Sequence, residues 1–309
     1  MFPVMDFFIY YPVLLVVKLL QALPLRLVAR LGRRVGALAY WIDGRHRRVA
    51  TENLRRCFPE KSADDVRELA HENFRRLGEN YCSAIKTSTM TDAELLPHFE
   101  VVGMEEINAV KGLGAIIAIG HFGNFELYTR ITTHFPGLRL GTTYRALNHP
   151  RLNALLYKLR ARPELQLYER RGGAKLLCRS LKEGNLVLGL LCDQRGGRRD
   201  VRAPFFGHEC STSAASAILA QRYGIPLHTG ICYRTGPARW RIEFESSIPT
   251  RAEDALRPVE DIMAEVNARL EAAIRRDPPN WFWVHDRWKF TKKAKARERE
   301  AAQAEETDS

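Results

Sequence analysis

The hydrophobic pattern divides the chain into three stretches. From Val4 to Leu23 the residues are mostly apolar, interrupted by Asp6 and Lys18, and Pro24 ends the run. About twenty apolar residues suffice for a helix to cross a bilayer, so residues 1–23 read as a membrane anchor; a buried core helix is the alternative. Lys18 can reach an interface along its own stem, and proline breaks or redirects the helix. A cleaved signal peptide does not fit, because the stretch has neither a basic leader nor a small-residue cleavage site. Residues 24–98 then show helical period. Pro24, Val28, Leu31, Val35, Leu38 and Ile42 form an apolar stripe, with Arg26, Arg30, Arg33 and Arg34 away from it. Such a helix either lies on an anionic membrane or packs on the body with its arginines in water. Phe58-Pro59 closes a further helix. Ser62 opens another, with Asp65 at capping-box spacing, and Phe74, Leu77, Tyr81 and Ile85 line one face of it as scaffold.

The third stretch, residues 99–290, alternates short apolar runs with amphipathic ones. Strands are predicted at Val101–Gly103, Ala115–Ile119, Leu138–Tyr144, Leu165–Tyr168, Leu186–Cys192, Pro226–Tyr233 and Trp240–Glu245. Helices are predicted at Met104–Lys111, Phe125–His134, Pro150–Arg160, Ala174–Leu181, Ser213–Tyr223 and Pro258–Arg275. This alternation predicts an α/β fold, a central sheet flanked by helices. The segment Trp281 to Trp288 is aromatic-rich and is expected to dock on the body. The tail, residues 291–309, is charged and poor in hydrophobics, so disorder is expected there.

Composition narrows the function classes. With 309 residues, 45% of them hydrophobic, there is ample chain for one large core. The formal net charge of +12 is concentrated away from the tail: residues 1–56 carry ten Lys and Arg against three acids. A positive body implies an anionic partner. Basic residues directly after the anchor favour a cytoplasmic body. Neither a Gly-rich phosphate loop nor an RNA-binding aromatic motif is present, so nucleic acid is not expected as the partner. The six cysteines lack metal-ligand spacing and several sit in apolar runs, as reduced core thiols do.

The chemistry concentrates at Gly120-His121-Phe122-Gly123-Asn124-Phe125-Glu126-Leu127, directly after the apolar run ending at Ile119. The pattern predicts a buried strand, a tight Gly/Asn turn, and a helix with Asn124 as its N-cap. His121 stands at a strand exit, where α/β folds place their chemistry. His121 and Glu126 lie five positions apart, so they meet only if the chain turns between them. A carboxylate holding an imidazole is half of a general-base pair. A capped helix with an acid in its first turn and an unrelated histidine is the plainer reading, and spacing alone leaves both open. Arg145 ends a strand and Arg160 ends the next helix; each faces a site or is a surface cation. Asp193-Gln194 ends the apolar run Leu186–Cys192 and marks a site or caps a turn. The basic loop Arg195–Arg202 holds anionic groups or is a solvated charge run. Phe205 and Phe206 wall a groove or belong to the core.

His121-Phe122-Gly123-Asn124-Phe125-Glu126-Leu127 resembles the His-x4-Asp/Glu signature of the glycerolipid acyltransferase superfamily, and within it the late acyltransferases of lipid A biosynthesis. Tyr144-Arg145, Asp193-Gln194, Pro204-Phe205-Phe206-Gly207 and Trp283 to Lys289 follow in the same order, and the likeness runs from about Met5 to Phe290. One departure is that Ser213 to Ser216 has no glycine where the family usually has one, which touches the acyl pocket. The resemblance implies a glycerolipid acyltransferase-like fold with a mostly parallel sheet, and a bacterial inner-membrane protein facing the cytoplasm. It implies transfer of a saturated fatty acyl chain from an acyl carrier protein, or acyl-CoA, to a hydroxyl of a phosphorylated glycolipid, a lipid A precursor. His121 and Glu126 would be catalytic. Arg160, Asp193, Arg145, Asn124 and Gln194 would bind substrate or an oxyanion. Neither cofactor nor metal is expected. An acyltransferase of the same fold acting on a glycerol phosphate, a lysophospholipid, a glycolipid or an aminolipid is the alternative. A Gly-x-Ser-x-Gly nucleophile elbow is absent, so the expected route is direct, with Glu126 fixing the His121 ring and backbone amides near Gly123, or Arg160, meeting the oxyanion.

Overall fold

The computed structural model describes residues 6–289 apart from 110–111, 132–134, 136, 198–199 and 254. In chain order the helices are α1 (Tyr11–Ala22), α2 (Leu25–Ile42), α3 (Gly44–Cys57), α4 (Ala63–Thr87), α5 (Asp92–Leu95), α6 (Met104–Asn108), α7 (Pro150–Arg160), α8 (Ala174–Lys182), α9 (Ala215–Tyr223) and α10 (Val259–Arg276). The strands are β1 (Phe99–Val102), β2 (Ala115–Ile119), β3 (Arg139–Tyr144), β4 (Leu165–Glu169), β5 (Leu186–Leu191), β6 (Val201–Phe205), β7 (His208–Thr212), β8 (Leu227–Gly236), β9 (Arg239–Phe244), β10 (Arg251–Ala252) and β11 (Ala255–Leu256).

Seven strands form the central sheet in the order β1-β9-β8-β2-β5-β3-β4. Every pairing is parallel except the β8–β9 hairpin. Strand β2 is apolar throughout and buried on both faces, as a strand covered by helices on two sides must be. Its alternation feeds two cores. Ile116 and Ala118 pack with Leu54, Phe74, Leu188 and Trp281; Ala115, Ile117 and Ile119 pack with Leu127, Leu140, Val187 and Phe244. The expected central strands and α7 are found nearly residue for residue. The stretch from Val201 to Thr212 is instead a β6–β7 hairpin. Phe205 and Phe206 at its tip are buried against Trp281, Trp288 and Phe58, so they are core and do not wall a groove.

The amino-terminal region departs from expectation in a specific way. A π-helical turn, Asp6–Tyr10, leads into α1, which has 12 residues. Twelve residues rise about 18 Å, short of the roughly 30 Å of a hydrocarbon core. Among the described residues no helix is long and apolar enough to cross a membrane. Val4 and Met5, and the tail from residue 291, lie outside the described residues. In α2 the buried side is Leu25, Val28, Ala29, Gly32, Gly36 and Tyr40. The outer half of the expected stripe, Val35, Leu38 and Ile42, is exposed together with Leu27 and Trp41. The reason is glycine. Gly32 and Gly36 meet Gly78 of α4 so closely that a Cβ at Gly36 would stand 2.1 Å from the Phe74 carbonyl oxygen and one at Gly78 would stand 2.1 Å from that of Gly32. Backbone contact of this kind draws the glycine side of α2 inward and leaves the larger apolar side chains outside.

Arg33 also turns inward. It bonds Glu72 at 2.8 Å and reaches Glu79 at 3.4 Å. Glu79 is fully buried and accepts from Arg234 at 2.9 Å and the Ala238 amide at 3.0 Å, which ties α2 and α4 to the β8–β9 hairpin. The capping box at Ser62 and Asp65 forms as its spacing predicts. Replacing Gly36 by Ala forces the two helix backbones apart. Overpacking of this type costs about 1–3 kcal/mol, and equilibrium denaturation should show a lower midpoint at unchanged slope.

Candidate active site

His121 and Asp193 meet because two parallel strands end together. In the β2–β5 ladder Ile119 pairs with Leu191. His121 lies two residues beyond the first and Asp193 two beyond the second, and the Cys192 amide continues the ladder to the Ile119 carbonyl at 3.0 Å. The His121 ring Nδ1 stands 2.8 Å from Asp193 Oδ1, and the His121 backbone amide donates to Asp193 Oδ2 at 2.7 Å. Trp281 Nε1 donates to the same Oδ2 at 2.8 Å. The carboxylate is 1% exposed. Burial works to raise its pKa, but the adjoining imidazole and these N–H donors outweigh burial and hold it below the ordinary carboxylate range. An ionised Asp193 accepting from Nδ1–H leaves the Nε2 lone pair of His121 free. Gln194 Nε2 lies 3.4 Å from that Nε2. Phe125 and Phe282 flank the ring, at centroid distances of 4.9 and 5.6 Å.

The carboxylate on the imidazole is therefore Asp193, where Glu126 was expected. Glu126 is engaged by Arg160: Nε donates to Oε2 at 2.8 Å, and Nη2 donates to Oε1. The physical cause lies in the turn. Phe125–Arg130 is a single 3-10 segment in place of the expected α-helix through His134, which itself is outside the described residues. Burial disfavours the Arg160 charge, and the hydrogen bonds and field of Glu126 more than restore it. Arg160 is thus a fixed cation at the end of α7.

Asn124 stands at the N-cap position of the 3-10 turn, as expected, but does not cap it. Its side chain makes no capping bond, it is 1% exposed, and among the described residues neither side-chain polar atom has a partner. It does not line the cavity described below. Gly123 takes φ +49°, and a Cβ there would stand 2.5 Å from the Cys232 carbonyl oxygen, so the turn requires glycine. Its amide donates to the Asn280 carbonyl at 3.1 Å and so cannot serve as an oxyanion donor. The segment Pro278–Trp283 closes over the turn through this bond, through a Phe122–Trp281 bridge and through Asn280 Nδ2 to the Cys232 carbonyl at 3.0 Å.

His121, Glu126, Arg145, Arg160 and Gln194 all line one open cavity of about 880 Å³, within the range of small-molecule sites. Its walls are largely apolar. Val13 and Val17 of α1, Ile85 of α4 and Leu155 and Leu159 of α7 form one side; Leu177, Leu190 and Leu219 form another. Arg145 is exposed at the rim, and Arg170 and Arg195 also reach the cavity. Tyr81 and Ile85, expected as scaffold, face this space. His285 is structural, accepting from the Arg195 amide at 3.0 Å. The buried Cys192 thiol, pushed up to about 12 by burial, is a poor nucleophile. Among the described residues no three His, Cys, Asp or Glu side chains converge as a metal set.

Sequence reasoning missed three participants. Trp281 stood in a segment read only as docking, although a buried indole N–H needs an acceptor. Asn53, in α3, donates to the carbonyls of Trp283 and His285 at 2.9 and 2.8 Å. Arg287 is fully buried and donates to the Gln194 carbonyl at 3.1 Å, fixing the residue beside His121. Neither contact has a local signature.

The family model for bacterial lipid A biosynthesis acyltransferases matches residues 2–290. The chain is similar to the lipid A biosynthesis lauroyltransferase of Escherichia coli strain K12, with 27% identity over 279 residues covering 89% of each chain. It is equally similar to the palmitoleoyltransferase of the same strain, with 27% identity over 277 residues and 86% of each chain covered. A lipid A biosynthesis acyltransferase of Shigella flexneri matches at the same identity and coverage. With an imidazole oriented by a carboxylate in an apolar cavity, and with this match along nearly its whole length, the chain belongs to the bacterial lipid A biosynthesis acyltransferase family and is an acyltransferase.

Proposed function

We propose that the protein transfers a fatty acyl chain from an acyl carrier protein thioester to a hydroxyl of a phosphorylated glycolipid precursor of lipid A, with His121 as general base. The observation that carries this reading is the Asp193-held imidazole, its Nε2 directed into a greasy cavity. The acceptor hydroxyl takes the place that Gln194 Nε2 holds beside His121 Nε2. His121 removes the hydroxyl proton as the oxygen attacks the thioester carbonyl. The carbon–sulfur bond breaks, and the imidazolium returns the proton to the leaving thiolate. Asp193 stabilises the cation between these steps. The Gln194 amide, displaced by the hydroxyl, is the donor best situated for the oxyanion. Arg160 and the rim cation Arg145 attract the anionic groups of both substrates.

The same reading gives the exposed apolar face of α2 a purpose. Leu27, Val35, Leu38, Trp41 and Ile42 are flanked by the exposed Arg26, Arg30, Arg34, Arg45 and Arg48. Phe7, Phe8, Leu15 and Leu19 are also exposed nearby in the chain. An apolar face with a basic border suits the surface of an anionic bilayer, and Val13 and Val17 of α1 carry that surface to the cavity.

Substituting His121→Ala or Asp193→Asn should lower kcat by about 10²–10⁴-fold with the fold retained; circular dichroism and steady-state turnover check both, and wild-type turnover by either rejects the assignment. Glu126→Gln and Arg160→Gln should show matched defects, and the double variant should be no worse than either alone, because each single change already breaks the shared pair. A Glu126 that acted on His121 would instead give a Glu126→Gln defect far larger than that of Arg160→Gln. Since the folded-state pKa of Asp193 is depressed, its contribution to stability is complete above about pH 4 and is lost as pH falls through the folded value; Asp193→Asn should remove that part of the acid limb in pH-dependent unfolding. Leu38→Glu with Trp41→Glu should reduce co-flotation with anionic vesicles while leaving turnover on detergent-solubilised acceptor intact.

A further inference from the structure

The hydroxyl groups that line the cavity differ in what they already hold. Thr129 donates to the Glu126 carbonyl at 2.7 Å, Ser88 to the Ile85 carbonyl at 2.7 Å, Thr87 to the Ala84 carbonyl at 3.2 Å and Ser216 to Met263 Sδ at 3.3 Å, while Tyr168 is bonded to Gln166. The Tyr81 hydroxyl, on α4, makes no hydrogen bond among the described residues. Tyr81 lines the cavity together with His121, Phe125, Glu126 and Gln194. It is 47% exposed, so an incoming molecule can reach the phenol. The two carboxylates of the site are already engaged, Asp193 by His121 and Trp281 and Glu126 by Arg160. An O–H group left without a partner here suits a polar atom that a substrate supplies. The chain beneath it is fixed. Gly78 presses on Gly32 and Gly36 of α2, Glu79 is held by Arg33, Arg234 and the Ala238 amide, and Asn80 accepts from Trp240 Nε1 at 3.3 Å. Burial and the fields of Glu126 and Asp193 push the Tyr81 pKa up to about 12, against the opposing field of Arg160. At neutral pH the phenol is therefore a donor and not a base.

We propose that Tyr81 is a second hydrogen-bond donor for the reaction, its phenolic O–H meeting the thioester carbonyl oxygen as that oxygen gains negative charge. The inference rests on the acyl-transfer reading and adds a catalytic residue to it. As the acceptor oxygen bonds to the carbonyl carbon, the carbonyl π electrons move onto the oxygen, which accepts from Tyr81 and from Gln194. When the carbon–sulfur bond breaks, those electrons re-form the carbonyl and the hydrogen bond weakens. Tyr81 keeps its proton throughout. The other donors near the turn are spent, the Gly123 amide on the Asn280 carbonyl and Arg160 on Glu126. With Asp193 and Glu126 both ionised in their pairs, a further negative charge in the cavity needs donors aimed at it. A neutral phenol bonds more strongly to the oxyanion than to the ground-state carbonyl, so its effect falls on kcat. The rigid helix behind it sets the donor in place before the charge forms, which spares reorganisation during the reaction.

The test compares wild type, Tyr81→Phe and a protein carrying a fluorinated tyrosine at position 81, with a saturated acyl carrier protein thioester as donor and a phosphorylated glucosamine disaccharide bearing 3-hydroxyacyl chains as acceptor. Tyr81→Phe keeps the ring and should lower kcat by about 10²–10³-fold while KM for each substrate stays within about three-fold. Fluorine withdraws electrons and lowers the phenol pKa. The fluorinated enzyme should therefore lose kcat as pH rises through that lowered value, because a phenolate cannot donate and repels the oxyanion. Wild type, whose hydroxyl ionises at about 12, should show no such loss over the same range. A ring that only packs gives no limb that follows the phenol, so the question is decided even if Tyr81→Phe fails to fold. A folded Tyr81→Phe with wild-type kcat, or a fluorinated enzyme with the wild-type pH profile, overturns the donor role and leaves the acyl-transfer reading standing. A wild-type protein that transfers no acyl chain overturns the reading and the donor role together.

Discussion

The structure depends on the pairing of an imidazole with a buried carboxylate across two adjacent parallel strands. Asp193 is an acid with almost no exposure, and it stays ionised because His121 and Trp281 bring three N–H groups to it. Loss of any one of these donors would weaken the compensation of a buried charge. That constraint explains why so much of the chain converges here. The turn after β2 must expose the His121 amide, and Gly123 allows it. The carboxy-terminal segment must deliver an indole, and Asn53 and Asn73 hold it by its carbonyls, Asn73 bonding those of Pro279 and Trp281 at 3.0 and 2.6 Å.

The second ion pair does different work. Glu126 and Arg160 are about one-fifth exposed and line the cavity beside His121. The pair joins the 3-10 turn to the carboxy-terminal end of α7, beyond which Arg162 Nη2 donates to the Ser88 carbonyl at 2.6 Å. One carboxylate thus holds the imidazole and the other holds an arginine, and their environments separate the two pairs.

The amino-terminal helices show how small residues can invert a sequence pattern. Three-four spacing in α2 marks an apolar stripe but not which edge of it is inside. Gly32 and Gly36 against Gly78 settle that, since backbone-to-backbone contact is closer than any side-chain contact can be. The larger apolar residues are then left outside, beside arginines that suit an anionic surface. Arg33, grouped by sequence with those arginines, is drawn into the network around Glu79 because its rotation on the helix faces α4.

Local pattern was enough to determine the alternating strands and helices, the apolar run ending at Ile119, the glycine turn after it, and the presence of His121, Asp193 and Arg160 at element ends. These follow from period, burial and turn chemistry, which act over a few residues. Which carboxylate meets the imidazole was beyond such reasoning. Glu126 is five residues from His121 and Asp193 is seventy-two, yet the distant residue is the partner, because β2 and β5 are neighbours in register and the turn ends in a 3-10 segment that aims Glu126 at Arg160. Strand order and register are set by the packing of two whole cores against one sheet.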